Sequence, residues 1–219
     1  IAEQAEALGA RLNTGSFFDG SFVSLNVLKN QLEPGLDLMS KVALEPGFPA
    51  AEFERIRQNY LGRQQQESRQ PRQQAIKEFQ RRIFGEGHPY AQPFSGSGTK
   101  ESLAALTRDD LVAFHQTHFH PGEAAVVVVG DLDLEQAVAA VTAAFGDWAP
   151  GTAPTTTVPP VAPYSGPRVV VIDKPAAQQS YIVAGYGGMS RNDPAIQTFE
   201  VANTAFGGQF SQQGEILPD

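Results

Sequence analysis

The 219-residue sequence contains no cysteine. This absence excludes disulfide bonds, thiolate catalysis and cysteine metal sites, and it fits a periplasmic or exported protein better than a cytosolic one. Positive charge is also scarce, because 16 lysine and arginine residues stand against 24 acidic residues and leave a net charge of −8. A chain of this charge is a poor partner for a phosphate backbone, so nucleic-acid binding is disfavoured.

Long apolar runs are missing as well. No run approaches the about 20 residues that a membrane helix requires, so we expect no membrane span. Hydrophobic residues still make up 41% of the chain, which is enough to bury a core in one large domain or two small ones. Because Ile1 lies inside a helix-like segment and Asp219 follows no closing element, we expect a fragment that has lost sequence at both ends.

The pattern of apolar residues predicts an α+β fold in which an antiparallel sheet packs with helices. A first helix ends at Gly9 as its C-cap. Strands at Arg11–Phe17 and 22–28 follow, with a turn at Asp19-Gly20. Pro71 separates two apolar stripes and is expected to kink or break a long polar helix. Further helices are predicted at 32–44, 108–117 (with Thr107 as N-cap), 134–145 and 193–206, and further strands at 124–129, 168–173 and 180–186.

A proline-rich segment divides the chain. Residues 149–167 hold six prolines, which fix φ and remove backbone donors, so this segment is predicted to be an extended, semi-rigid linker. Residues 1–148 then form one α+β repeat. Residues 168–219 form the beginning of a second.

A histidine cluster is the most prominent candidate for chemistry. His115 and His118 lie three residues apart near a helix end, where they could share a metal with Glu123 as a third ligand. Alternatively, they are helix-end histidines whose charged form suits the helix dipole. No carboxylate lies between them to act as a base, so the second interpretation is favoured.

Other short motifs indicate no catalytic chemistry. His88, alone in a loop, is typical of a surface or packing residue, and Gln64–Gln70 is typical of a solvated helix face. Gly96-Ser97-Gly98 is predicted to be flexible loop, and no serine lies in a G-x-S-x-G elbow. Gly207-Gly208 follows a helix and so offers no helix N-terminus to a phosphate. The glycines within 185–188 lack the dinucleotide-binding spacing.

Several segments in a fixed order suggest a family. They are Ala7–Asn13, Leu44–Phe48, Phe53–Arg57, Asp109–His115, Val126–Asp131, Asp173–Ser180 and Phe206–Ser211. Together they resemble the insulysin/pitrilysin metallopeptidases, the inverzincins marked by H-x-x-E-H. The resemblance covers nearly the whole chain. It implies one pitrilysin-like repeat followed by the opening of a second.

The chain departs from this family at its catalytic positions. The H-x-x-E-H motif is expected shortly before Ile1 and is absent. Arg63 stands where catalytic members carry the glutamate ligand, and a guanidinium cannot ligate zinc. Glu67 lies one helical turn, about 6 Å, further on and cannot simply replace that ligand. The substrate-holding arginine and tyrosine, expected after Ser211, do not follow, so no catalytic or metal-binding residue is assigned.

The resemblance therefore implies a non-catalytic half of a zinc metallopeptidase. Such a half pairs with a zinc-bearing homologous half or subunit and helps enclose an extended peptide, with the zinc in the catalytic half. Two alternatives stay open, which are a truncated active metalloendopeptidase and a structural or scaffolding module. An edge strand can pair with a substrate backbone, which makes Asn13, Thr14, Gly15 and Ser16 the candidate peptide contacts. An ordinary strand explains these four residues equally well.

Overall fold

The computed structural model describes residues 1–93, 95–155, 157–161, 166–175, 177–190 and 192–206. Its elements are α1 (Ala2–Ala7), β1 (Arg11–Phe17), β2 (Gly20–Asn26), α2 (Leu32–Leu44), α3 (Ala50–Glu67), α4 (Pro71–Phe84), α5 (Lys100–Ala105), α6 (Arg108–His118), α7 (Leu134–Phe145) and α8 (Ile196–Ala205). No helix in these ranges combines the length and the apolar character that crossing a membrane requires.

Local signals place the helices close to their predicted positions. Pro71 occupies the first position of α4, where its missing N–H is harmless, and so separates α4 from α3. The hydroxyl of Thr107 accepts from the N–H of Asp110, and the Asp110 carboxylate accepts from the N–H of Thr107, which forms a capping box at the start of α6. The predicted end of the last helix at Gly207-Gly208 lies outside the described residues.

β1 and β2 form an antiparallel hairpin in which Arg11 pairs with Asn26 and Phe17 with Gly20. Within the described residues, these two strands make up the sheet. The prediction of strands at 124–129, 168–173 and 180–186 was wrong, since none of these segments joins a ladder. An apolar run becomes a strand only when a neighbouring backbone pairs with it. Among the described residues these segments have no such neighbour, and side chains such as Val129 are left 93% exposed.

The core lies around α2. This helix packs against β2 on one side and α7 on another, with α1 beside it. Leu36 and Leu38 are its most buried apolar side chains. Gly35 lets the helix approach the sheet, because a Cβ there would lie 3.0 Å from Leu25 and 3.4 Å from Val27. The hairpin is therefore held from behind by α2, and among the described residues no strand pairs with the outer edge of β1.

Candidate functional site

The candidate peptide contacts lie together on β1. Asn13, Thr14 and Ser16 are exposed, whereas Gly15 is half-buried. The ring of Phe22, the cross-strand partner of Gly15, lies so close that a Cβ on Gly15 would fall 2.5 Å from the ring. Because Gly15 has no side chain, the Phe22 ring can pack over it on one face of the hairpin. Asn13, Thr14 and Ser16 present polar side chains and backbone groups along β1.

Arg63 lies exposed in the C-terminal half of α3. Its guanidinium rests over the ring of Tyr60, 5.2 Å from the centroid, a cation–π arrangement on the helix's own surface. It makes no ion pair within the described part of the chain. The side chain at the expected ligand position is therefore a cation that faces solvent.

Glu67, one turn further along α3, binds two serines of a neighbouring loop. Its Oε2 accepts a hydrogen bond from Ser97 at 2.7 Å and another from Ser95 at 3.2 Å. The two serine oxygens lie 2.9 Å apart, so the single hydroxyl proton of Ser95 is shared between Glu67 Oε2 and Ser97 Oγ. Ser97 is only 1% exposed. Gly96-Ser97-Gly98 is loop, as predicted, but Ser97 is buried within it and is held by the carboxylate of Glu67.

The histidine cluster does not converge on one point. His115 Nε2 lies 2.8 Å from the carbonyl oxygen of Ala43 and so ties α6 to the end of α2. Its ring stacks on Phe119, whereas the His118 ring packs on Phe114. Across the described residues, no group of three or more histidine, aspartate or glutamate side chains is placed to hold a metal. The side chains of the described residues therefore do not offer a ligand set that fits zinc.

His88 is a packing residue with both ring nitrogens engaged. Nδ1 accepts from the N–H of Tyr90 at 3.1 Å, so Nε2 carries the proton and donates to the carbonyl of Pro159 at 2.9 Å. The ring stacks on Phe84 at 5.2 Å between centroids, and it is 5% exposed. His88 thus fastens the proline-rich segment to the end of α4. The Tyr90 hydroxyl in turn donates to Asp19 in the hairpin turn.

A carboxylate on α4 has the most perturbed acidity among the described groups. Glu78 accepts hydrogen bonds from Arg81 at 2.8 Å and from Arg82 at 2.6 Å. The bond from Arg81, followed by that from Arg82, lowers the pKa of Glu78 from 4.5 to about 2, against the opposing effect of burial. The charged form of Glu78 is therefore favoured in the folded state.

We expect the Glu78 network to stabilise the fold in a pH-dependent way. Because the folded-state pKa lies below the unfolded one, the contribution is complete above pH 4.5 and is lost as the pH falls to about 2. Unfolding measured against pH should show a stability difference between wild type and Glu78→Gln that shrinks across this window. Exposed Glu6→Gln is the control, and an equal pH dependence in both variants would contradict the assignment.

The sequence of this chain is similar to those of known peptidases. Residues 105–213 match the sequence model of a family described as the peptidase M16 inactive domain. An uncharacterized zinc protease of Mycobacterium leprae is 27% identical, over 97% of this chain and 47% of its own length. The mitochondrial-processing peptidase subunit beta of Caenorhabditis elegans is 21% identical, over 93% of this chain and 43% of its own length. The chain spans about half the length of the curated relatives it matches.

Solved structures share the fold. A peptidase M16 inactive domain from Pseudomonas fluorescens superposes with a TM-score of 0.67 at 29% identity, covering 74% of this chain and 39% of that one. A protease from Helicobacter pylori gives a TM-score of 0.60 at 18% identity, over 74% of this chain and 38% of that one. The second likeness concerns the fold alone. Together they confirm the predicted α+β class, with helices packed on an antiparallel hairpin.

Proposed function

The chain belongs to the M16 peptidases and corresponds to a non-catalytic half of that family, and from this premise we propose that it helps a zinc-bearing half enclose and bind extended peptides. The observation that carries the proposal is Arg63. It lies exposed on α3 at the position expected for a zinc-ligating glutamate, and Glu67 is held by two serines instead. Proteolysis then requires zinc and its ligands in the partner half.

The free edge of β1 supplies a physical means of binding. In a hairpin with a two-residue turn, the closing pair is hydrogen bonded and bonded pairs alternate along the ladder. Phe17 and Gly20 are the closing pair here. Asn13 and Gly15 therefore bond to β2, whereas the backbone N–H and C=O groups of Thr14 and Ser16 point away from it. An extended peptide can add to this edge as a third strand.

The division of the chain is part of the same proposal. Residues 1–148 form the repeat that carries the peptide edge, 149–167 link it, and 168–219 open a second repeat. The bond from His88 to the Pro159 carbonyl supports a linker held against the first repeat. A bond from Lys174 Nζ to the Ser68 carbonyl, at 3.0 Å, gives a second point of attachment beyond the linker.

Replacing Thr14 by proline tests the edge directly. Proline removes the outward N–H but no donor to β2, so the hairpin can persist while one bond to the peptide is lost. We expect the affinity for an extended peptide to fall by about tenfold, the effect of one hydrogen bond and its steric surroundings. Fluorescence anisotropy with a labelled peptide, on the chain assembled with its zinc-bearing half, measures the affinity.

Thr14→Val is the matched control, since it keeps the backbone donor and changes only the side chain. Ser16→Pro repeats the test at the second outward position. Unchanged peptide affinity and turnover in both proline variants would contradict the proposal and favour a scaffolding module.

Zinc analysis of the isolated chain is expected to give substoichiometric metal, whereas tight stoichiometric zinc would favour a truncated active peptidase.

A further inference from the structure

Among the described residues, the β1–β2 hairpin packs on α2 through one face and leaves its other face exposed. Leu25 lies on the packed face, because a Cβ on Gly35 of α2 would approach it to 3.0 Å. Side chains alternate between the two faces of a strand, so Phe22, three residues before Leu25, lies on the exposed face. Its cross-strand partner Gly15 shares that face, and so does Phe17, two residues further along β1. We call Phe17 and Phe22 the aromatic pair.

The aromatic pair covers two glycines and still presents much of its surface to solvent. A Cβ on Gly15 would fall 2.5 Å from the Phe22 ring, and one on Gly20 would fall 3.1 Å from the Phe17 ring. Packing a ring over a glycine stabilises a strand pair, which explains the direction in which each ring leans. Phe17 nevertheless stays 62% exposed and Phe22 49% exposed. Apolar surface that adjoins a binding edge is typical of a partner contact.

The Phe22 ring lies within reach of a peptide at the outer edge of β1. The outward backbone groups of Thr14 and Ser16 flank Gly15, so an antiparallel peptide on this edge places one residue directly opposite Gly15, in a pair without hydrogen bonds. The peptide Cβ then lies about 4.5 Å from the Cβ position of Gly15. Because that position is 2.5 Å from the Phe22 ring, the peptide Cβ lies no more than about 7 Å from the ring. A side chain of leucine size bridges the remaining gap to van der Waals contact.

Phe17 offers a second contact on the same face. A peptide residue opposite Phe17 meets its ring as a direct cross-strand neighbour, two residues away from the one opposite Gly15. Asn13 continues the face in the other direction with a polar side chain. Since the peptide runs antiparallel to β1, it passes Phe17 first, then the Phe22 ring over Gly15, and then Asn13.

We propose that the aromatic pair selects extended peptides in which two apolar side chains alternate, in the order apolar–any–apolar–any–polar. The peptide as ligand rests on the proposed function. The first apolar side chain packs on Phe17 and the second on Phe22, which buries the exposed parts of both rings, and the polar side chain lies beside Asn13. The aromatic pair determines specificity, whereas the backbone groups of Thr14 and Ser16 bind a peptide of any sequence.

Two blocked, fluorescein-labelled heptapeptides test the proposal by fluorescence anisotropy on the unaltered 219-residue chain. The leucine probe has the sequence TTLTLTT, and the serine probe has serine in place of both leucines. We expect the leucine probe to bind about tenfold more tightly, the combined effect of two aromatic–aliphatic cross-strand pairs.

Substitutions in the aromatic pair locate the origin of this preference. Phe22→Thr and Phe17→Thr each remove one ring and keep a β-branched side chain that suits a strand. Each should reduce the preference for the leucine probe from about tenfold to about threefold, and the double variant should abolish it. Phe206→Thr, which removes an exposed ring outside the hairpin, is the matched control and should keep the full preference. A purely structural role of the rings would weaken the binding of both probes alike.

Equal affinities of the two probes for the unaltered chain would overturn the proposal, and so would a leucine preference that survives the double variant. The first comparison involves no substitution, so it does not depend on the folding of a variant. Thr14→Pro separates this inference from the proposed function. If Thr14→Pro weakens two probes that bind equally well, the edge binds peptides and the aromatic pair does not select them. If it leaves both affinities unchanged, the peptide edge itself is rejected.

Discussion

Replacing His88 by alanine is expected to lower the free energy of unfolding by about 2–4 kcal/mol, because the buried N–H of Tyr90 loses its acceptor and the stacking on Phe84 is lost. The carbonyl of Pro159 loses its donor as well. The same change releases the proline-rich segment from α4. Chemical denaturation measures the first effect, and the rate of limited proteolysis near residue 159 measures the second.

His118→Ala is the matched control for this prediction. His118 is exposed at the end of α6, where its ring packs on Phe114. Its removal should change the free energy of unfolding by no more than about 0.5 kcal/mol. If the two variants were equally stable, and cleavage near residue 159 were as slow as in the wild type, His88 would not be the anchor that the structure shows.

Leu36→Ala is expected to lower the free energy of unfolding by about 3 kcal/mol, within the range for substitutions that create a cavity in a core. Leu36 is 5% exposed on α2, the helix that packs against β2 and α7. Loss of this side chain loosens the support behind the hairpin. Because β1 is held in place through β2, we expect hydrogen exchange of the hairpin amides to speed up together with the loss of global stability.

Leu134→Ala provides the control. Leu134 begins α7 and is 79% exposed, so the same truncation removes little buried surface and should change stability by about 0.5 kcal/mol or less. Thermal unfolding and hydrogen exchange on both variants complete the comparison. Equal effects at the two leucines would show that α2 does not form the core.

Local sequence signals were sufficient to predict where α2 and α7 begin and end. The apolar spacing in 32–44 and 134–145 predicts α2 and α7 with their observed bounds, because helix hydrogen bonds join residues four apart and the signals that start and stop them lie within the same segment. Pro71 and Thr107 act in the same way. Each changes the backbone donors of its own turn, so its effect can be predicted without knowing the rest of the fold.

The sequence also predicts that Arg63 is not a zinc ligand. Arg63 cannot lose its proton in any surroundings, so no tertiary arrangement turns it into a zinc ligand. The order and spacing of several segments were enough to predict the peptidase family, which the comparisons confirm. The positive charge of an arginine and the order of segments along the chain are both properties that folding does not alter.

The buried polar groups and the strands needed the tertiary structure. Ser97 and His88 look like loop residues until Glu67, 30 residues away, and Pro159, 71 residues away, lie beside them. The runs at 124–129 and 168–173 have strand composition, but in the described part of the chain no neighbouring backbone completes a ladder with them. A hydrogen bond between distant residues depends on where the chain brings them, so the partners of these groups were decided by packing alone.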